Sequence, residues 1–382
     1  MTALLALLAA AAQPAAAPPP TAYQPQGKDE RGLWMQMEEE ERRIKASNLV
    51  IRDPALNDYV RGVLCRTVGQ RCEEVRLYLI RTADFNAAMG PNGAMLVYSG
   101  LLLRMRDEAQ LAGVLGHEWK HYEEQHSLKQ FRDIKHKVNA ATWLAMPMAA
   151  IGGDLALTAM QFGVIGSIYG FSREQERDAD RGSLVLLGKA GYDPMAVARV
   201  WQGLRAETEA AAAARGRKPR REGGLLATHP ATQERMVALA ELAKKTPVAE
   251  PRADARTRFD AAMAGWRPQF LDDQVKLNDF GGTEWLLARL AEDGGWTSDL
   301  TLARADNLRM RGRPEDLKQA AALYGQLTAR TDAPPAAWRG LGLTKLRLGE
   351  REAGRAALTT YLARDPQAKD AAMLRTLTET DS

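Results

Sequence analysis

Cysteine, histidine and aromatic residues are scarce in this sequence of 382 residues, which has two cysteines, five histidines and 6% Phe, Trp and Tyr. Two cysteines are too few for a disulfide scaffold, and so few aromatic rings argue against a surface that stacks on bases. The charge is nearly balanced, with 52 basic and 48 acidic side chains, which does not predict nucleic-acid binding. The 45% of hydrophobic residues is ordinary for a globular protein, and the length allows two or three domains.

The N-terminus also lacks a long hydrophobic run, because its apolar stretch extends only from Ala3 to Ala12. That length is too short for a membrane-spanning helix but suits the apolar region of a secretory signal. We therefore expect residues 1–12 to be a signal peptide, residues 13–27 to be a flexible leader, and the protein to be exported. A disordered leader rich in alanine and proline is the alternative.

A second apolar segment, residues 138–172, carries a single charge at Asp154. Its longest uncharged piece, residues 155–172, contains three glycines, and Pro147 interrupts the other half. These features favour a pair of helices in the core or at a membrane surface. A membrane-spanning hairpin is the alternative.

The two cysteines, Cys65 and Cys72, are seven residues apart. In an exported protein this pair predicts a disulfide across a turn, whereas in the cytosol it predicts two free thiols. Metal binding by the pair is disfavoured because no second Cys or His pair lies nearby to complete four ligands.

Local patterns of charge and hydrophobicity indicate the order of elements in the first part of the chain. Charged helix-forming stretches, alternating apolar residues and turn signals distinguish helices, strands and loops. The patterns predict a helix over 28–46, strands over 74–82 and 95–100, a helix over 101–126 and an exposed loop over 205–224.

The C-terminal part is rich in Ala, Leu and Arg and predicts helical hairpins from residue 298 onward. Several of its residues fall at positions typical of a tetratricopeptide repeat, namely Trp338, Leu341, Gly342, Leu358 and Pro366. We therefore predict a main domain over 28–245, a connecting region over 246–297 and helical repeats over 298–382. Since two repeats are few for an independent solenoid, we expect them to dock on another surface.

The chemistry of the chain is indicated by Gly116-His117-Glu118-Trp119-Lys120-His121, which matches the pattern H-E-x-x-H. Residues i and i+4 project from the same face of a helix, so His117 and His121 can reach one metal ion. Glu118 lies one step round the helix, where it can contact water at that metal. An exposed helix with incidental histidines is the alternative.

A metal held by two histidines needs a further protein ligand, and carboxylates occur downstream between Ser172 and Gly182. Glu176 and Asp180 are spaced so that one can bind the metal while the other accepts the free N–H of a ligand histidine. Glu174 and Asp178 have the same spacing. The start of an ordinary charged helix is the alternative.

Four segments in this order resemble the HtpX/BepA/CAAX-prenyl-protease group of zinc metallopeptidases, peptidase family M48. They are NAAMGPNGAMLVYSGLL (86–102), HEWKH (117–121), SREQERDADRG (172–182) and THPATQERM (228–236). The resemblance implies a mainly α fold with a small β-sheet (α+β), in which a gluzincin-type zinc metallopeptidase domain precedes an α-helical tetratricopeptide-like domain. Trp119 and Lys120 depart from the family, which usually has an aliphatic and then a small residue there.

The resemblance also implies a role for each matching residue at the metal. His117, His121 and Glu176 would bind one Zn²⁺ per chain, and Glu118 would be the general base. The Ala-Asp-Arg that follows favours Glu176 as the ligand, with Asp180 as the outer partner of a ligand histidine.

Other matching residues would act around the metal. His229, in the T-H-P motif, would be either a fourth ligand that gates the site or a group that stabilises the oxyanion, and a packing residue at a helix start is the alternative. Asn86 would lie near the substrate backbone, and Met95, Val97 and Ser99 would lie on the edge strand of the cleft.

The implied function is a zinc-dependent metalloendopeptidase that hydrolyses peptide bonds of proteins. By resemblance to periplasmic BepA-like members, it would act in the periplasm, in quality control of envelope proteins. Its partners would be protein and peptide substrates, together with membrane-surface or outer-membrane assembly partners bound by the repeats. The alternative is a chaperone-like scaffold that binds clients and has minor or latent proteolysis.

Overall fold

The computed structural model describes residues 23–137, 171–218, 229 and 233–378. The predicted signal peptide, most of the leader and nearly all of the second apolar segment lie outside these residues. Within the described part of the chain, no helix is both long enough and apolar enough to cross a membrane.

The described chain is mainly helical with one small sheet, as the sequence predicts. A short 3₁₀ helix, Gly69–Glu74, follows the second helix. The α-helices, numbered in chain order, are α1 (Gly27–Ala46), α2 (Pro54–Val68), α3 (Ser99–Arg104), α4 (Glu108–Glu123), α5 (His126–Lys137), α6 (Arg173–Lys189), α7 (Met195–Ala214), α8 (Gln233–Lys245), α9 (Ala255–Met263), α10 (Arg267–Val275), α11 (Phe280–Gly294), α12 (Ser298–Arg311), α13 (Pro314–Thr328), α14 (Pro335–Arg347), α15 (Arg351–Arg364) and α16 (Ala371–Thr378).

The sheet has three strands in the order β1-β3-β2. The strands are β1 (Arg76–Ile80), β2 (Ala87–Met89) and β3 (Ala94–Tyr98). β1 runs parallel to β3, and β2 runs antiparallel to it. β2 also packs against α4, so the sheet edge formed by β2 lies beside the helix that carries H-E-x-x-H.

The central position of β3 corrects the expectation that Met95, Val97 and Ser99 form the edge of the cleft. Both sides of β3 are hydrogen-bonded to neighbouring strands, and the side chains of Met95 and Val97 are fully buried in the core. Ser99 is the first residue of α3, and its hydroxyl bonds to the backbone of Thr82. These residues therefore support the sheet from inside, and β2 forms the edge beside α4.

Helix α4 starts later than the predicted helix over 101–126, because residues 105–107 separate it from α3. Asp107 caps α4 by accepting a hydrogen bond from the backbone of Gln110 at 2.8 Å. Helices α2, α6, α7 and α9 surround α4. A Cβ atom at Gly113 would lie 2.7 Å from Val197, so glycine allows α7 to approach α4 closely.

Residues 246–297, predicted to be a connecting region, contain the three helices α9, α10 and α11. Phe259, Phe270 and Leu287 of these helices are at most 1% exposed and belong to the same hydrophobic core as α4 and the sheet. The prediction of an exposed loop over 205–224 is wrong for its first part, because α7 continues to Ala214 and packs against α11.

The C-terminal helices α12 to α16 pack against their neighbours along the chain. Small residues allow this packing: a Cβ atom at Gly340 would lie 2.3 Å from the ring of Tyr324, which is fully buried. Leu300 and Ala303 of α12 also belong to the main core, so α12 packs into the same core as the helices before it. The assignment of the helices to the tetratricopeptide type stays a prediction.

Candidate metal centre

The two histidines of the H-E-x-x-H pattern lie on one buried face of α4. His117 and His121 are each 1% exposed, and their Nε2 atoms are 3.2 Å apart. The helix has 3.6 residues per turn, which places the second ring directly above the first. The two nitrogens therefore point into one shared space.

Glu176 comes to this space from α6, which begins with a capping box at Ser172. Its carboxylate oxygens lie 3.6 Å from His117 Nε2 and 3.6 Å from His121 Nε2. Glu174, on another face of α6, is exposed. The structure therefore brings Glu176, and not the equally spaced Glu174, to the histidines.

His229 completes the group. Its Nδ1 atom is 2.6 Å from Glu176 Oε1 and 3.2 Å from His117 Nε2. Its other nitrogen, Nε2, is 3.6 Å from Glu118 Oε1. His229 is 3% exposed, so it is a buried part of the site.

This group of three imidazole nitrogens and one carboxylate oxygen could hold a metal ion. The four donor atoms lie within 4.8 Å of one another, and all four residues are buried. Ligands at about 2.0–2.1 Å in a tetrahedral arrangement are separated by roughly 3.4 Å, and most of the distances above are close to this value. Nitrogen and carboxylate donors in this number are typical of zinc. The residues present fit such an ion.

Asp180 and Arg235 surround the donor group from outside. Asp180 Oδ1 is 3.2 Å from His117 Nδ1, so the carboxylate faces the nitrogen that points away from the other donors. Arg235 donates two hydrogen bonds to Asp180, and its Nη1 atom is 2.6 Å from Glu176 Oε2. The indole of Trp201 lies 4.9 Å from the guanidinium.

A family model described as peptidase family M48 matches residues 51–243 of this chain. The chain belongs to peptidase family M48. It is 29% identical over 264 residues to a putative beta-barrel assembly-enhancing protease of Vibrio cholerae, which covers 64% of this chain and 50% of the relative. It is 24% identical over 305 residues to the beta-barrel assembly-enhancing protease of Escherichia coli, and the match covers 76% of this chain and 54% of the relative.

A third relative is the mitochondrial metalloendopeptidase OMA1 of Schizosaccharomyces pombe, 28% identical over 199 residues, with 51% of this chain and 56% of the relative covered. The chain thus spans about half the length of these curated relatives. Membership of family M48 and the names of these relatives make the chain a metalloprotease by family.

The departure from the M48 pattern inside H-E-x-x-H is accommodated by packing. Trp119 is 1% exposed and lies against Tyr122 in the core. The stem of Lys120 runs along α6, where a Cβ atom at Gly182 would lie 2.4 Å from it. Glycine at this position makes room for the longer side chain, and the lysine ammonium bonds to Glu123 and Glu124.

Electrostatics at the M48 site depend on burial and on Arg235. Burial alone would raise the pKa of Glu176, but the nearby His229, His117 and Arg235 lower it below its ordinary value. The pKa of Asp180 is held well below its usual range, because Arg235 and His117 outweigh the effect of burial. Burial also lowers the pKa of His121 well below its ordinary value, which keeps this imidazole neutral and able to bind a metal.

Glu118 lies beside the donor group and next to the sheet edge. It is 2% exposed, and burial raises its pKa to about 8. The backbone amide of Met89 in β2 lies near its carboxylate and opposes part of this rise in pKa. A cation bound by the four donors would lower the pKa of Glu118 again and favour the carboxylate form that a base requires.

Three further predicted residues, Asn86, Cys65 and Cys72, are not part of the donor group. The backbone carbonyl of Asn86, immediately before β2, accepts a hydrogen bond from the backbone N–H of Tyr98. Cys65 and Cys72 form a disulfide, with Cα atoms 5.0 Å apart, between α2 and the 3₁₀ helix.

The sequence interpretation did not single out Arg235, Trp201 or His126 as parts of the site. His126 lies against His121, with the two Nδ1 atoms 3.0 Å apart. A signal for Arg235 was available, because two buried carboxylates need a buried cation and Arg235 lies in the THPATQERM segment. No comparable local pattern points to His126, since its contact depends on the turn between α4 and α5.

Proposed function

We propose that this chain is a zinc-dependent metalloendopeptidase that hydrolyses peptide bonds within proteins. The observation that carries the proposal is the convergence of the His117 and His121 Nε2 atoms and the Glu176 carboxylate, at 3.2–3.6 Å from one another, beside Glu118. The family and the printed names of the relatives support the same reaction.

His117, His121 and Glu176 would hold the ion. Once bound, zinc supplies Lewis-acid activation of water and of the scissile carbonyl. Asp180, 3.2 Å from His117 Nδ1, would accept a hydrogen bond from this N–H, which would fix the ring so that Nε2 faces the ion. Arg235 in turn fixes both carboxylates, so the geometry does not depend on the ion alone.

Glu118 is the group on this chain that takes and returns a proton. Its buried position next to the donors places a carboxylate within reach of attacking water, and it can later pass the proton to the leaving amine. The contact with the backbone of Met89 orients the carboxylate towards the edge of β2.

An extended substrate would add to the sheet along β2. This strand is paired with β3 on one side, and its backbone lies next to Glu118 on the other. Backbone hydrogen bonds to an edge strand bind substrates with little dependence on sequence. Specificity would then depend on access to the site.

His229 restrains access in this proposal. Its Nδ1 atom lies among the donors, 2.6 Å from Glu176 and 3.2 Å from His117, where it would be a fourth protein ligand. A zinc site with four protein ligands is closed, whereas a catalytic site keeps one position for water. Movement of His229 would open the site.

Export and a role in envelope protein quality control are part of the proposal. The Cys65–Cys72 disulfide supports an oxidising compartment such as the periplasm. Two relatives are named beta-barrel assembly-enhancing proteases, which supports partners at the outer membrane. Helices α12 to α16, as tetratricopeptide-like repeats, would bind these partners.

The test is cleavage of an unfolded protein, β-casein, by the wild-type chain and by His229→Ala, each with and without Glu118→Gln. We expect Glu118→Gln to lower the cleavage rate by about 10²- to 10⁴-fold, because the proton acceptor is lost, while zinc per chain is unchanged. A chelator should stop cleavage, and added zinc should restore it. Lack of chelator-sensitive cleavage in both wild type and His229→Ala would contradict the proposal and favour the client-binding scaffold.

A further inference from the structure

His126 is a buried histidine that the proposed reaction does not use. It is 2% exposed and is the first residue of α5. Its Nδ1 atom lies 3.0 Å from Nδ1 of His121, and the two rings meet edge to face with centroids 5.0 Å apart. A hydrogen bond at this distance requires one nitrogen to donate and the other to accept.

The turn between α4 and α5 brings this ring back to the site. Gln125 has a φ angle of 54°, in the left-handed region that residues other than glycine seldom adopt. The turn lets α5 begin immediately afterwards, and the His126 ring returns over the last turn of α4. Backbone strain of this kind is characteristic of positions where the surrounding structure fixes a functional geometry.

The direction of the hydrogen bond follows from the other side of His121. Its Nε2 atom lies among the metal donors, 3.2 Å from His117 Nε2 and 3.6 Å from Glu176. A neutral imidazole that binds a metal through Nε2 carries its proton on Nδ1. His121 therefore donates from Nδ1, and His126 accepts at Nδ1 and keeps its own proton on Nε2.

We propose that His126 is a positioning residue that orients the metal ligand His121. This inference rests on the metal centre proposed above. On the other ligand, Asp180 occupies the equivalent place, because its carboxylate faces His117 Nδ1 at 3.2 Å. The two ligand histidines thus have different outer partners, an anionic carboxylate and a neutral imidazole. Outer partners of this kind typically change metal affinity 10- to 100-fold when they are removed.

The ring of Phe171 completes the support of His121. It stacks on His121 with centroids 3.8 Å apart, so it restricts the tilt of the ligand ring. Phe171 offers no hydrogen-bond acceptor, however, and cannot select which nitrogen carries the proton. His126 alone of these two neighbours can fix the tautomer of His121.

The experiment compares zinc affinity, by competition with a fluorescent chelator, in the full chain carrying His126→Leu or His126→Asn. Leucine fills similar space without an acceptor, whereas the asparagine side-chain oxygen can accept near the position of Nδ1. We expect His126→Leu to bind zinc about 10- to 100-fold more weakly and His126→Asn to bind within a few-fold of wild type. The visible absorption of the Co²⁺-loaded protein should shift in the leucine variant and return in the asparagine variant.

The matched control is Leu128→Ala, on the same helix. Leu128 is 3% exposed and packs with Leu33 and Phe131, and its side chain offers no hydrogen bond to a ligand histidine, so its loss should lower thermal stability without changing zinc affinity. Equal zinc affinity in wild type and His126→Leu would overturn the inference, as would equal losses in the leucine and asparagine variants or an equal loss in Leu128→Ala. Failure of the wild type itself to bind zinc would instead overturn the metal centre on which the inference rests.

Discussion

Among single residues, His229 contacts both the proposed metal ligands and the proposed base, and in our proposal it restrains access to the centre. Its Nδ1 atom is closer to Glu176 than either α4 histidine is, at 2.6 Å against 3.6 Å. At the same time its Nε2 atom faces Glu118 at 3.6 Å. One side chain thus contacts both the ligand carboxylate and the proposed base.

We expect His229→Ala to raise the rate of casein cleavage several-fold, because it removes the donor that would exclude water from the fourth position. Zinc content should stay at one per chain, since His117, His121 and Glu176 remain. Steady-state cleavage of fluorescently labelled casein measures the effect. A fall in kcat with unchanged zinc content would contradict restraint and would instead indicate that His229 stabilises the oxyanion.

Arg235 is the residue on which the two buried carboxylates depend. It contacts Glu176 at 2.6 Å and Asp180 at 2.7 and 2.8 Å, while only 9% of its side chain is exposed. Burial opposes its charge, but the contacts with Asp180 and Glu176 raise its pKa above the ordinary value. The arginine and the two acids therefore keep one another charged.

Replacing Arg235 with methionine should lower the free energy of unfolding of the metal-free chain by about 3–5 kcal/mol, because two buried carboxylates lose their cation. Urea unfolding in the presence of a chelator measures this change. Arg177→Met is the matched control, since Arg177 pairs with Glu234 at 3.3 Å with 57% and 73% of their side chains exposed. A surface pair of this kind should contribute less than about 1 kcal/mol. Similar losses in the two variants would contradict the special role of Arg235.

Among the elements, α1 is attached to the sheet by a buried acid. Glu41 accepts hydrogen bonds from Arg76 of β1 at 2.6 Å, from the Tyr78 hydroxyl at 2.6 Å and from the Asn92 amide at 2.9 Å. These donors join α1, β1 and the turn before β3. Burial alone would raise the pKa of Glu41, but the bonds from Arg76 and Tyr78 lower it from 4.5 to about 2.

This shift predicts an acid-sensitive contribution to stability. Because the pKa is lower in the folded state, the contribution is present above about pH 4.5 and is lost as the pH falls towards 2. Glu41→Gln should therefore destabilise the chain at pH 7 by up to about 3 kcal/mol, with a smaller difference at pH 3. Urea midpoints across this range measure the effect. Glu39→Gln, an exposed acid on the same helix, should show no comparable pH dependence, and an equal dependence in the two variants would contradict the assignment.

An element could be predicted from the sequence when the pattern that defines it lies within the element itself. Helix α1 and strands β1 and β3 were predicted because their patterns lie within the segment itself. β2 was missed because Ala87–Met89 is too short to show alternation, and it is a strand only through pairing with β3. For the same reason β3 was assigned to the edge: strand order in a sheet depends on contacts that a local pattern does not contain.

On the scale of the whole molecule, the metalloprotease part and the helices after it share one core. Phe259, Phe270 and Leu287 lie in the same cluster as the buried residues of α4. Glu108, at the start of α4, is fully buried and is held by Arg258 of α9, Arg66 of α2 and the Tyr192 hydroxyl. The H-E-x-x-H helix is therefore fixed at its first turn by residues from distant parts of the chain.

The same difference applies to the candidate site: some of its residues are recognised by local spacing, whereas others come together only through tertiary packing. The spacing of His117, Glu118 and His121, and that of Glu176 and Asp180, is local to one helix each. The family resemblance favoured Glu176 over Glu174 and added His229. The contacts of His126 and Arg235 depend on how α5 and α8 pack, and no spacing rule contains them. The packing of residues 255–294 into the main core was not predicted, because the sequence of an amphipathic helix does not show which surface its apolar face covers.

The most direct test is the location of zinc in crystals of the zinc-loaded full chain, by anomalous diffraction at the zinc absorption edge. We expect one strong peak per chain, within about 2.0–2.2 Å of His117 Nε2, His121 Nε2 and a Glu176 oxygen. His121→Ala should remove the peak. A zinc-loaded chain without a peak at these three atoms, or with Glu174 in place of Glu176, would contradict this metal centre.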